Sequence, residues 1–162
     1  MAPKSYQERV LISWWVSLLF VGIIVFFSAV VVTQSIWGIP IGSRPVPTYL
    51  VFGLEIVFIL IFINFSKLDI AVDPERIEVK YGVIKKTIPI NEVASCETIR
   101  AKFRLYGGVG IRIGTDRSLA FTTSFGNAIK IIRKRGHPFV FSTNKPTELS
   151  KLINTFAKPH MR

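Results

Sequence analysis

Residues 10–32, VLISWWVSLLFVGIIVFFSAVVV, run for 23 positions without a charge. As a helix rising about 1.5 Å per residue, such a run covers roughly 35 Å, enough to cross the hydrocarbon of a bilayer. A cleaved signal peptide would have a shorter apolar core followed by a small-x-small site, and neither is present. A second run of 18, residues 48–65, is broken only by Glu55 and Asn64. Between them lies TQSIWGIPIGSRPVP (33–47), whose three prolines and two glycines block a continuous helix. The pattern predicts a membrane helical hairpin: span 10–32, an extracytoplasmic loop at 33–47, span 48–65. Trp14 and Trp15 near one boundary, and Trp37 and Tyr49 near the other, match the aromatic belts of spanning helices.

Charge sets the expected orientation. Lys4 and Arg9 precede the first span and Lys67 follows the second, whereas the loop holds only Arg44. By the positive-inside rule both termini are cytoplasmic, with residues 1–9 a short cytoplasmic segment. A reducing compartment also suits the single cysteine, Cys96. That lone cysteine excludes an internal disulfide and any cysteine-based zinc cluster. Two histidines, His137 and His160, leave little for a histidine metal site, so no metal or other cofactor is expected.

Glu55 is the odd residue of the membrane half. A carboxylate about two turns inside a span costs about 2.5–3.5 kcal/mol on insertion scales. The first span offers no Lys or Arg, but Ser28 lies at a similar depth. Three readings follow: an acid hydrogen-bonded within the hairpin, a polar clasp on another protein or subunit, or a proton or ion relay. A relay would need companions that the spans lack.

Of the net charge of +11, +10 falls in the 97 residues from Ser66 onward, which hold 18 Lys+Arg against 8 Asp+Glu. Here the apolar period changes to two. Leu68, Ile70 and Val72 alternate with polar or small residues, as do Ile77, Val79 and Tyr81. Ile88 and Ile90, then Val109, Ile111 and Ile113, then Leu119 and Phe121, then Phe139 and Phe141 repeat it. Such alternation marks strands with one buried face. Turn signals at Asp73-Pro74, Gly82, Thr115-Asp116, Gly126-Asn127 and Gly136-His137-Pro138 separate them. AIKIIRKR (128–135) reads as a further strand, with a helical turn as the alternative. Leu149, Leu152, Ile153 and Phe156 form one stripe of a closing helix, with Thr143 or Asn144 as cap. Its stripe is expected on the open end of the sheets.

This order resembles the bacterial PH-like domain proteins that carry membrane anchors. The stretches that bear the likeness are VDPERIEVKYG with KKTIPI (72–90), YGGVGIRIG (106–114) and FSTNKPTELSKLI (141–153). The resemblance implies an α+β, mainly β, PH-like split barrel of about seven antiparallel strands over 66–162, capped by the C-terminal helix. It implies no enzymatic activity. PH domains that bind phosphoinositides carry a basic motif in the first hairpin. Here that turn is Asp73-Pro74-Glu75, which is acidic, so phosphoinositide recognition does not carry over.

Chemistry-bearing motifs are missing. There is no GxSxG, HExxH, CxxC or P-loop. The glycines of GGVGIRIG miss the dinucleotide spacing and serve better as a bend (Gly107, Gly108) and a thinned strand face. Cys96 has no histidine near it in sequence and reads as an inert thiol. What remains is cationic surface: Arg100, Lys102, Arg104, Arg112 and Arg117; Lys85 and Lys86; and Lys130, Arg133, Lys134 and Arg135. Lysines and arginines beside an anionic leaflet are worth about 1 kcal/mol each. The expected function is a non-enzymatic, membrane-anchored module. It would bind anionic lipid headgroups or another membrane-associated protein through Lys85, Lys86, Arg104, Arg112 and Arg133. The alternative is a structural subunit of a membrane complex, contacting partners through the hairpin at Glu55. Self-association is open, and a bilayer anchor gives no reason for nucleic acid.

Overall fold

A computed structural model describes residues 6–42, 46–101, 109–124 and 126–158. The chain divides into two compact units: Ser13–Ser66, and Met1–Ile12 together with Lys67–Arg162.

The first unit is a pair of helices, α1 (Trp14–Ile36) and α2 (Thr48–Phe65), both long and apolar enough to cross a membrane. Helix α2 covers the residues expected. Helix α1 starts four residues later than expected, because Val10 is buried in a strand rather than in a span. The Ser13 carbonyl accepts the first helical N–H groups, from Val16 and Ser17. The helices run antiparallel, joined by Phe20–Phe62 and Phe27–Phe58 ring contacts, by Ser28 with Glu55, and by Thr48 with Gln34. Outside that seam the large side chains, among them Leu18, Leu19, Phe26, Leu60 and Ile63, are exposed. An apolar surface of this extent belongs in lipid or against a partner, not in water.

The second unit holds two sheets. One has the order β1-β2-β3-β4, all antiparallel: β1 (Tyr6–Leu11), β2 (Lys67–Val72), β3 (Arg76–Tyr81) and β4 (Ile84–Pro89). After a single 3-10 turn at Ile90–Glu92 come β5 (Val93–Ala101), β6 (Gly110–Ile113), β7 (Leu119–Thr122), β8 (Gly126–Arg133) and β9 (Phe139–Ser142). They order as β5-β8-β9-β7-β6, with β7 and β9 parallel and the other neighbours antiparallel. The last element is α3 (Pro146–Ala157). The class is therefore α+β and mainly β, with nine strands among the described residues.

Two of those nine escape the period-two reading. In β5 a bulge between Val93 and Ser95 puts the buried residues Val93 and Cys96 three apart, which breaks the alternation. In β1 the inward positions are Tyr6, Glu8 and Val10, and a charge at the middle of the three hides the buried face. The 128–135 stretch is a strand, as expected. The edge strand β6 differs from the pattern that predicts it: Ile113 is 77% exposed, and neither β6 face is buried.

Between the sheets lies an aromatic chain, Tyr81–Phe121–Phe139–Phe141, with centroid separations of 6.2, 5.1 and 5.7 Å. Leu68, Ile70, Ile77, Val79, Ile129 and Ile131 are fully enclosed around it. The Tyr81 hydroxyl donates to the Thr122 carbonyl, and burial pushes its phenol up to about 12. Helix α3 buries Leu149, Ile153 and Ala157 against β5, β8 and the 3-10 turn. Its Asn154 side chain clasps Cys96, accepting from its N–H and donating to its carbonyl. Lys145 stands at the N-cap and makes no side-chain capping bond, its ammonium lying 3.5 Å from Glu148. The cap candidates are used otherwise: Thr143 Oγ1 accepts from the Lys145 N–H, and the Asn144 N–H donates to Glu8.

Candidate anion-binding surface

The register of the first sheet fixes which of its side chains share a face. On the outward face Arg9, Asp69, Lys80 and Lys85 lie in one cross-strand row. Gln7, Ala71, Glu78 and Thr87 form the next row, and Leu11 pairs with Lys67 beyond the first. Asp69 takes Arg9 at 2.6 Å and Glu78 takes Lys85 at 2.8 Å. Lys67 and Lys80 make no ion pair with a described residue. The small side chain of Ala71 leaves a shallow depression of about 340 Å3, bounded by Arg9, Asp69, Glu78 and Lys80.

The same register polarises the sheet. The chain leaves for α1 after Leu11 and returns from α2 at Lys67, and these two residues are cross-strand partners. The cationic row lies next to that end. The acidic turn Asp73-Pro74-Glu75 lies at the other end, closed by the Asp73 N–H donating to the Arg76 carbonyl.

The sequence-derived candidates that lie among the described residues come from three strands, β4, β6 and β8. Lys85 belongs to the row just described. Lys86, next on β4, faces the other side of the sheet opposite Val79. Arg112 is exposed on edge strand β6 of the second sheet. Arg133 ends β8, where Glu92 holds its guanidinium and the Glu92 carbonyl accepts the Lys134 N–H. Arg104 lies outside the described residues, as do Lys4, Arg44, Lys102, Gly107, Gly108 and His160. Reasoning from runs of charge missed Arg9, Lys67 and Lys80. Pairing in a sheet, not adjacency in the chain, brings them together, and the only available signal was the alternation of Gln7, Arg9 and Leu11 with Tyr6, Glu8 and Val10.

Glu55 is 8% exposed, and its Oε1 accepts the Ser28 hydroxyl from the facing helix. The carboxyl is thus engaged inside the hairpin. Cys96 is buried and its thiol is pushed up to about 12 by burial, with the Glu97 charge adding to it. A thiol enclosed and raised in this way holds almost no thiolate at neutral pH. Among the described residues no cluster of His, Cys, Asp or Glu could hold a metal ion.

In the turn between β6 and β7 Asp116 is neutralised locally. Burial alone would raise its carboxyl. The hydrogen bonds from Lys130 Nζ and from the Ser118 hydroxyl and N–H outweigh it and hold the group at about 2. A carboxyl lowered on folding stabilises the fold above its unfolded value near 3.9 and loses that contribution as pH falls through the folded value. Asp116→Asn should therefore remove about 1 kcal/mol at pH 7, after allowance for the partial exposure of the pair. The variant and the parent should converge between about pH 4 and pH 2, as read from urea unfolding across that range.

No protein-family model matches this chain, and no curated protein matches it.

Proposed function

We propose that this protein is a non-enzymatic membrane-anchored module whose cationic sheet face docks on anionic lipid headgroups. In this reading α1 and α2 cross the cell membrane as a hairpin, both termini are cytoplasmic, and the sheet unit is a PH-like domain at the inner leaflet. Two mostly antiparallel sheets and a packed C-terminal helix support the PH-like assignment. The observation that carries the function is the row Arg9–Asp69–Lys80–Lys85 with Lys67, placed next to the end of the sheet where the chain enters and leaves the apolar helices. Three of the four residues in that row are cations; Arg9 and Lys85 are paired with Asp69 and Glu78, so the excess positive charge rests on Lys80 and on Lys67 beside it. A tether at that end brings them within a Debye length of the headgroups, where screening is weak. The capture of Glu55 by Ser28 favours this reading over a subunit held to its partners through that carboxyl.

The pairing of Leu11 with Lys67 supplies the test. Residues 12–66 can be replaced by an Asn-Gly turn, which joins two antiparallel neighbours and leaves β1 in place. This linked sheet unit should co-sediment with phosphatidylglycerol vesicles and not with phosphatidylcholine vesicles, and salt should release it. Lys80→Gln should weaken binding by about fivefold, and Lys85→Gln, whose lysine already pairs with Glu78, by less. Binding that ignores salt, or no binding to anionic vesicles, overturns the lipid reading.

A further inference from the structure

The β3–β4 turn stands at the same end of the first sheet as Leu11 and Lys67, since Leu68 pairs with Tyr81 and Tyr81 with Ile84. Its two loop residues are Gly82 and Val83. Gly82 has φ 61 and Val83 does not have a positive φ, the sign pattern of a tight hairpin turn with glycine first. That turn is polar in most proteins, because its side chains meet water. Here Val83 is 83% exposed, Ile84 is 42% exposed, and Leu11, at the end of β1, is 67% exposed. Three large apolar side chains thus sit at one end of one sheet, beside Lys67, Lys80 and Lys85. Apolar residues at a tip with lysines behind them match the layering of a bilayer interface, acyl chains below and anionic headgroups above.

We infer that the Gly82-Val83-Ile84 tip, with Leu11, inserts into the interfacial layer of the bilayer that the protein's own helices cross. The occupant is lipid because of continuity. The same sheet end carries both covalent junctions to the apolar helices, through Ile12 and Ser66, so the tip lies within a few residues of chain that must itself meet the headgroups. Water leaves three exposed apolar side chains hydrated, whereas shallow insertion removes that cost. The inserted tip and the two junctions would hold the sheet unit at three points, which fixes its tilt and presents the row Arg9–Lys80–Lys85 to the headgroups. The inference rests on the hairpin crossing the membrane, as proposed above, but not on headgroup charge.

Full-length protein with Cys96→Ala, carrying a nitrobenzoxadiazole label at Val83→Cys, tests it in lipid nanodiscs. Labels at Glu75→Cys, in the far turn, and at Ile113→Cys, an exposed apolar residue of the second sheet, serve as controls. All three label positions are on the surface, and the buried Cys96→Ala change is common to every sample, so differences between labels report position alone. The tip label should emit to the blue of both controls. Acyl-chain bromines should quench it, and aqueous iodide should not, in phosphatidylcholine discs with or without phosphatidylglycerol. A tip label with the emission and iodide access of the Glu75 position overturns the inference. Quenching of the tip in both lipids, together with failure of the linked unit to prefer anionic vesicles, upholds insertion and sinks headgroup binding alone. A water-exposed tip in a unit that still binds anionic vesicles does the reverse.

Discussion

Phe121→Ala should destabilise the sheet unit by about 3–5 kcal/mol, the range for deleting an enclosed aromatic ring. Phe121 stands between Tyr81 of the first sheet and Phe139 of the second, with tilts of 78° to both rings. Edge-to-face geometry of this kind adds to the area that each ring buries. Removing Phe121 opens a cavity where the two sheets meet. It also takes the packing away from Tyr81, whose hydroxyl bond to the Thr122 carbonyl bridges the sheets. The expected shift is a fall of roughly 15 °C or more in the Tm of a unit of this size. Circular dichroism of the linked sheet unit, which contains no tryptophan, is the direct measurement. A fall of a few degrees would mean that neighbouring side chains collapse into the space and that the aromatic chain is not the main tie between the sheets.

Glu8→Ala should have the next largest effect, about 2–3 kcal/mol. Three donors converge on this carboxylate: the Tyr6 hydroxyl, the Thr143 hydroxyl at 2.6 Å and the Asn144 N–H at 2.7 Å. Hydrogen bonds to a charged acceptor are the strong ones, and alanine would leave all three donors without it. Glu8 links the inner face of β1 to the segment between β9 and α3, so its loss should free β1 rather than unfold the whole unit. Hydrogen exchange should show the amides of β1 losing protection while those of β9 keep it. Glu8→Gln, which still accepts at one oxygen, should recover part of the protection. Equal loss in β1 and β9 would show that Glu8 supports the global fold instead. Detachment of β1 also takes Arg9 out of the cationic row and exposes β2 as a new edge, so the variant should bind anionic vesicles less well and aggregate more readily.

Several elements were legible because their signal is local. The apolar runs that become α1 and α2 need no knowledge of partners: hydrophobicity over about 20 residues is set by composition alone. The alternation of Leu68-Ile70-Val72 and of Ile77-Val79-Tyr81 maps onto β2 and β3 position by position, because one face of each strand is buried without interruption. The stripe of α3 likewise shows in its spacing, since Leu149 and Ile153 are one helical turn apart.

Where the signal depends on a partner, it fails. The carboxylate of Glu8 faces inward only because donors satisfy it, two of them, Thr143 and Asn144, from the far end of the chain. In β5, the bulge that spoils the alternation is fixed by its pairing with β8. Arg9, Lys67, Lys80 and Lys85 come from four separate stretches and become neighbours only through strand register. Arg133 looks like a free cation in its basic run, yet Glu92, 41 residues away in the chain, takes its charge.

From composition and period alone came two apolar helices, a basic mainly-β remainder and a closing amphipathic helix, since each is written in residues that are near one another in the chain. Only the tertiary structure decided that Tyr6–Leu11 form the first strand, that the sheets have four and five strands among the described residues, and which cations share a face. Those outcomes depend on hydrogen-bonded pairing between distant segments. A one-residue shift of that pairing would turn the same cations to the opposite face.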